Sequence, residues 1–131
     1  MTVAVAHQVS ATSRKALVQA VQEAEYRETD LAVLHVVDSI DHDREEAYRL
    51  GVSDEIEKVV GQEGSISWRL HLATAGPDLA GALLELVDSV GADLLVIGAR
   101  RRSPVGKALL GSVAQTVILG TRTRCNIVCI C

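Results

Sequence analysis

The run from Gly98 to Val113, GARRRSPVGKALLGSV, gathers the residue types that phosphate binding uses. A glycine closes an apolar run, a basic stretch follows, and Gly111-Ser112 opens a helical pattern. Free backbone N–H groups at a helix start, with the positive end of its dipole, attract phosphate. Glycine lets the anion approach the backbone, the Ser112 hydroxyl adds a donor, and Arg100, Arg101, Arg102 and Lys107 supply charge. The same spacing also fits a plain strand-to-helix connection whose glycines only serve turns. Two familiar phosphate motifs are excluded. A P-loop needs G-x4-G-K-[ST], whereas Gly106-Lys107 is followed by Ala108 and Arg101 stands where the first glycine belongs. The dinucleotide fingerprint G-x-G-x-x-G is absent after Val5.

The remaining polar candidates are few. His7 and His35 fall at or near strand ends, facing the expected cleft, where a histidine is more often structural than functional. Asp38 and Asp41 follow the second strand, where a ribose or metal contact competes with a solvated turn. No G-x-S-x-G elbow or other nucleophile constellation exists, so no catalytic residue is assigned. Cys125, Cys129 and Cys131 all lie in the last seven residues, an odd number without a disulfide framework. They lack a fourth ligand and a CxxC knuckle, so no metal site is assigned. Cys129 and Cys131 share one face of a strand, where cysteine serves as a small buried hydrophobe. A reducing cytoplasm fits this usage.

These residues need a frame. Val3 to Ala6 is a short apolar run with valine at alternate positions, a buried strand. Ala16, Leu17, Ala20, Val21 and Ala24 share one helical face, with Ser10 or Thr12 as its N-cap. Leu31 to Val37 reads as a central strand buried on both sides. The charged stretch Asp41 to Arg49 reads as a loop broken at Gly51, before a helix carrying Ile56, Val59 and Val60 and ending near Gly61. Ile66 to Leu72 alternates with period two, a strand near an edge. Gly76-Pro77-Asp78 starts a helix with Leu79, Leu83, Leu86, Val87 and Val90 on one face, closed by Gly91. Asp93 to Gly98 is a second central strand. Ala99 to Gly106 reads as a basic loop, and Val105 to Leu119 as a short helix, a break at Gly111 and a longer helix from Ser112. Ile127 to Ile130 is a last strand. Alternating strands and helices argue an α/β fold, a doubly wound five-stranded parallel sheet with helices on both faces. Ligands in such sheets bind outside the carboxyl ends of the strands, where strand order reverses.

The chain's 131 residues make one domain, 1–131, without repeats or internal linkers. Hydrophobic residues make up 48% of it and there is no Phe, so the core is Val, Leu, Ile and Ala. Scarce aromatics argue against single-stranded nucleic-acid platforms and against a flavin site. No segment has the ~20 apolar residues that span a bilayer, and no signal peptide is recognised at the start. The net charge of −4 hides an asymmetry: residues 98–131 carry +6 with no acidic group, and the first 97 carry −10. That distribution suggests a C-terminal third that faces anions.

Five segments together resemble the universal stress proteins of the UspA type over the whole chain: Val3 to Ser13, Leu34-His35-Val36-Val37-Asp38, Ala92 to Gly98, Leu110 to Ala114, and Cys125 to Val128. The resemblance implies an adenine nucleotide alpha-hydrolase-like sheet in the order 3-2-1-4-5, with four helices. It implies a homodimer formed through the C-terminal strand, and in one branch of the family ATP bound through G-x2-G-x9-G-[ST]. Gly98, Gly111 and Ser112 match that motif, while Arg101 replaces its second glycine. Gln8 stands where the family's first loop carries an aspartate; its amide can still bond an adenine edge. The function implied is a cytoplasmic stress-response regulator binding ATP or another adenine nucleotide, with or without magnesium, at the tips of strands one and four. Ala6, His7 and Gln8 would flank the base against Val36. Ile97, Gly98, Arg100 and Arg101 would face ribose and phosphates, and Gly111, Ser112 and Val113 would donate to the phosphate tail. The alternative is the same fold with an empty pocket, acting through dimerisation and protein contacts. An enzyme of the related hydrolase type would need a metal-binding carboxylate in the first loop, which Gln8 does not provide.

Overall fold

The computed structural model describes residues 1–8, 11–63, 66–101, 108–109 and 112–130. In chain order the elements are β1 (Thr2–His7), α1 (Ala11–Tyr26), β2 (Asp30–Val37), a 3₁₀ turn (His42–Arg44), α2 (Glu45–Glu63), β3 (Trp68–Thr74), α3 (Leu79–Val90), β4 (Leu94–Arg101), β5 (Ala108–Leu109), α4 (Ser112–Gly120) and β6 (Arg124–Ile130). Five strands pair in parallel as β3-β2-β1-β4-β6, which in chain order is 3-2-1-4-5. The sequence expectation for the sheet holds.

Side-chain alternation divides the core into two layers. Val3, Val5, Leu31, Val33, Leu94 and Val96 pack against Ala16, Leu17, Ala20, Val21 and Ala24 of α1 and Val52, Ile56 and Val60 of α2. Ala4, Ala32, Leu34, Val36 and Leu95 pack against Ala80, Leu83 and Val87 of α3 and Val117 of α4. The apolar core among the described residues is wholly Val, Leu, Ile and Ala. Small side chains on β1 let α1 and α3 close onto the central strand without aromatic filling. Asp78 caps α3 by accepting from the Gly81 amide at 3.0 Å, and Gly91 ends it in the left-handed region, φ 63°.

Three local readings are corrected. Helix α2 runs through Gly51 rather than breaking there. Val52, Ile56 and Val60 are all buried along one face, and that tertiary packing outweighs the roughly 1 kcal/mol propensity cost of glycine. Thr12 lies inside α1, so it is not the cap; Ser10 falls outside the described residues. The strand after Asp93 does not stop at Gly98. Strand β4 continues to Arg101, and residues 108–109 are a strand, not a helix, paired antiparallel as Arg100↔Leu109 and Arg101↔Ala108. The reason is edge geometry. β6 pairs β4 as far as Arg100 along one edge. On the other edge, pairing with β1 covers Leu94 to Val96, so the extended end of β4 has free N–H and C=O groups there. β5 takes them up.

Candidate functional site

Because all five long strands run parallel, their carboxyl ends meet at one end of the sheet. Strand order reverses between β1, whose crossover leads toward β2, and β4, whose crossover leads toward β6. That is where a doubly wound sheet opens a crevice. The sequence candidates converge here. Ala6 and His7 end β1 and Gln8 follows it, Val36 lies near the end of β2, and Ile97, Gly98, Arg100 and Arg101 occupy the last part of β4. Ser112 and Val113 form the first turn of α4, whose start at Ser112 agrees with the sequence reading. Gly111, Arg102 and Lys107 lie outside the described residues. Val36 and Ile97 are buried, Gly98 is half-buried and Gln8 is exposed. β5 adds a feature that sequence reading missed. It occupies the β1-side edge of β4 beside Arg100 and Arg101, at the mouth of the same crevice.

His7 and His35 are corrected in their surroundings. They do not line an open cleft separately: they are register partners on adjacent strands and only 6% and 2% exposed. His7 Nδ1 and His35 Nδ1 share a hydrogen bond of 3.0 Å, and His35 Nε2 meets the Tyr48 hydroxyl at 2.7 Å. The parity that buries Val3 and Val5 carries His7 to the same layer as α1 and α2. Tyr48, half-buried on α2, packs against that layer. Burial lowers the His7 pKa to about 4, with the neighbouring His35 adding to the effect. Burial also lowers that of His35, partly opposed by a hydrogen bond to the His7 main chain. Burial raises the Tyr48 phenol. Two neutral rings and a neutral phenol therefore sit behind the crevice. Tyr48 was not singled out from the sequence; only the strand register, with the α2 packing, reveals the contact.

Asp38 and Asp41 are exposed beyond β2. The Asp38 carbonyl accepts from Gly76 and the Asp41 carbonyl from Arg44, which fits the solvated-turn alternative. Cys125 is half-buried, and its thiol contacts the Thr123 carbonyl at 3.6 Å. Among the described residues no group of three His, Cys, Asp or Glu converges as metal ligands, and no helix is long and apolar enough to cross a membrane.

The chain is similar to known proteins along nearly its whole length. The model of the universal stress protein family matches residues 1–128. A universal stress protein of Mycolicibacterium smegmatis is 36% identical over 106 residues, covering 81% of this chain and 80% of that one. The solved universal stress protein of Archaeoglobus fulgidus superposes with a TM-score of 0.77 at 28% identity, covering 100% and 98% of the two chains. A universal stress protein solved in complex with cAMP superposes with a TM-score of 0.75 at 27% identity, covering 98% and 95%.

Proposed function

Because this chain belongs to the universal stress protein family, we propose that it is a cytoplasmic stress-response regulator that binds an adenine nucleotide between the ends of β1 and β4. The observation that carries this reading is a convergence. The end of β1 and the arginine-bearing extension of β4 lie at the same end of the sheet, where strand order reverses, and α4 starts shortly after β5, which pairs with that extension. The cAMP complex of a relative with the same fold supports an adenine ligand. In this reading Ala6, His7 and Gln8 flank the base beside Val36. Ile97, Gly98, Arg100 and Arg101 lie along ribose and phosphate, and Gly111, Ser112 and Val113 present backbone N–H groups to the phosphate tail. In this reading the protein acts as a sensor rather than a catalyst, since the sequence offers no evident general base, with or without magnesium on the nucleotide. Native mass spectrometry for co-purified nucleotide, followed by ATP titration with and without magnesium, tests it. Saturable binding with a micromolar or tighter Kd is expected; no bound nucleotide and no titratable binding would overturn it.

A second reading has its own observation. β5 fills the β1-side edge of β4 at Arg100 and Arg101, and the family's aspartate and second glycine are replaced by Gln8 and Arg101. A crevice narrowed in this way suits a regulator that acts through dimerisation and protein contacts with its pocket empty.

A further inference from the structure

The buried His7–His35–Tyr48 chain carries an inference about how the β1 tip meets a ligand; the ligand part rests on the nucleotide reading above. A neutral imidazole has one N–H and one bare nitrogen. The 3.0 Å contact between the two Nδ1 atoms therefore requires one ring protonated there and the other bare. Two arrangements satisfy that condition, and the Tyr48 contact chooses between them. A phenol O–H is a good donor and an imidazole nitrogen a good acceptor, and the 2.7 Å contact lies in the short range of hydroxyl donors. Tyr48 thus donates to a bare His35 Nε2, leaving the proton of His35 on Nδ1. His35 Nδ1 then donates to His7 Nδ1, and His7 must carry its own proton on Nε2.

Direction follows from the register. On an imidazole the two nitrogens point widely apart. His7 Nδ1 is turned to His35 on β2, so Nε2 points away from β2. The neighbour of β1 on that side is β4, whose register with β1, carried two residues further, sets Gly98 level with His7. We propose that Tyr48 and His35 are positioning residues that lock His7 as an Nε2–H tautomer, a neutral donor at the β1–β4 crevice that selects a heteroaromatic base by a ring-nitrogen acceptor, as adenine offers. Burial of both rings keeps the donor uncharged, so the interaction reads hydrogen-bonding pattern rather than phosphate charge.

The test is a two-bond ¹H–¹⁵N correlation spectrum of the full chain labelled with ¹⁵N-histidine, at neutral pH. In the free protein we expect His7 protonated on Nε2 and His35 on Nδ1. A His7 ring protonated on Nδ1, or two rings exchanging evenly between tautomers, overturns the lock. Addition of ATP should shift the His7 Nε2–H signal without changing its tautomer; bound ATP with an unmoved signal overturns the role assigned to His7. Tyr48→Phe should mix the tautomers of His7 and weaken ATP about five- to tenfold, the worth of one hydrogen bond. Unchanged tautomers and affinity in that variant overturn the relay. If ATP fails to bind the wild-type protein, the nucleotide reading falls and the ligand assigned to His7 falls with it. The free-protein spectrum still decides the lock, and decides it also if Tyr48→Phe fails to fold.

Discussion

At the scale of single residues, burial of two histidines ties stability to acid. The His7 pKa is about 4 in the folded chain against 6.5 for a free side chain, so the native state resists the proton that the unfolded chain accepts. Above pH 6.5 both states are neutral at this position and it adds no pH dependence. As pH falls from 6.5 toward 4 the unfolded state gains protons first, and stability drops. The full loss from His7 below pH 4 is about 3 kcal/mol, and His35 acts in the same direction. His7→Gln should therefore flatten the acid leg. The urea midpoints of wild type and variant, compared from pH 7 to pH 4, should converge or cross as pH falls; parallel curves would contradict the burial argument. Arg101 is the other residue on which much turns. If its guanidinium clamps phosphate, Arg101→Gly weakens ATP about tenfold, because charge-assisted contacts are the stronger class, and the salt dependence of binding shrinks. If its bulk blocks the crevice, the same change tightens binding. We expect the first outcome, since Arg100, Arg101 and Arg102 form one cationic run with no acidic residue after it in the chain. Tighter binding by Arg101→Gly, read by calorimetry at two salt concentrations, would favour occlusion.

At the scale of elements, two glycines should respond to the same substitution with opposite signs. Gly51 sits inside α2, exposed, with open space where a Cβ would go. Gly51→Ala should stabilise by up to about 1 kcal/mol by reducing the freedom of the unfolded chain. Gly91 also has open space around its Cβ position, but its φ of 63° ends α3. Gly91→Ala should destabilise by about 1 kcal/mol, the cost of a left-handed L-residue. Urea melts of both variants check the pair, and equal shifts would show that space rather than backbone angle governs these positions. The same contrast explains what was legible in the sequence. The α1 face of Ala16, Leu17, Ala20, Val21 and Ala24 could be read because its period is local, and all five residues are buried. The ends of β3 and α3 were legible to within about two residues for the same reason. The course of α2 through Gly51 was not, because what holds it there is packing of Val52, Ile56 and Val60 against strands far away in sequence. Strand β5 was hidden likewise: Ala108-Leu109 has a helical pattern, and only the unpaired edge of β4 makes it a strand. Gly98, Arg100 and Arg101 at the end of β4 were found from their types, and Ala6, Gln8 and Ile97 through the family resemblance, whereas the His7–His35–Tyr48 contact needed the register of two strands and the docking of a helix.

At the scale of the whole molecule, the sheet ends in two edge strands, β3 and β6, that differ in chemistry. β3 carries an exposed Arg69, with Trp68 Nε1 bonded to Glu57 of α2 at 2.9 Å. A charged side chain and a flanking helix contact discourage another strand from adding there. β6 differs from it in sequence. After Arg124 it reads Cys-Asn-Ile-Val-Cys-Ile, without a charge or a proline, and one side is paired with β4 while no strand pairs with the other among the described residues. Leu119 on the adjoining α4 is 87% exposed. A two-fold axis through the middle of β6 would set it antiparallel to its own copy and join the two sheets into one. In that arrangement Arg124 of one copy lies beside the far end of the partner's strand, so the two arginines do not oppose each other. The interface is self-complementary, as two-fold symmetry requires, and it satisfies the backbone groups that the edge leaves open. We therefore expect a homodimer through β6. Sedimentation at micromolar concentration should give twice the 14.0 kDa chain mass, and amide exchange along β6 should slow as protein concentration rises. A monomer throughout that range, with β6 amides exchanging at a rate independent of concentration, would rule this interface out.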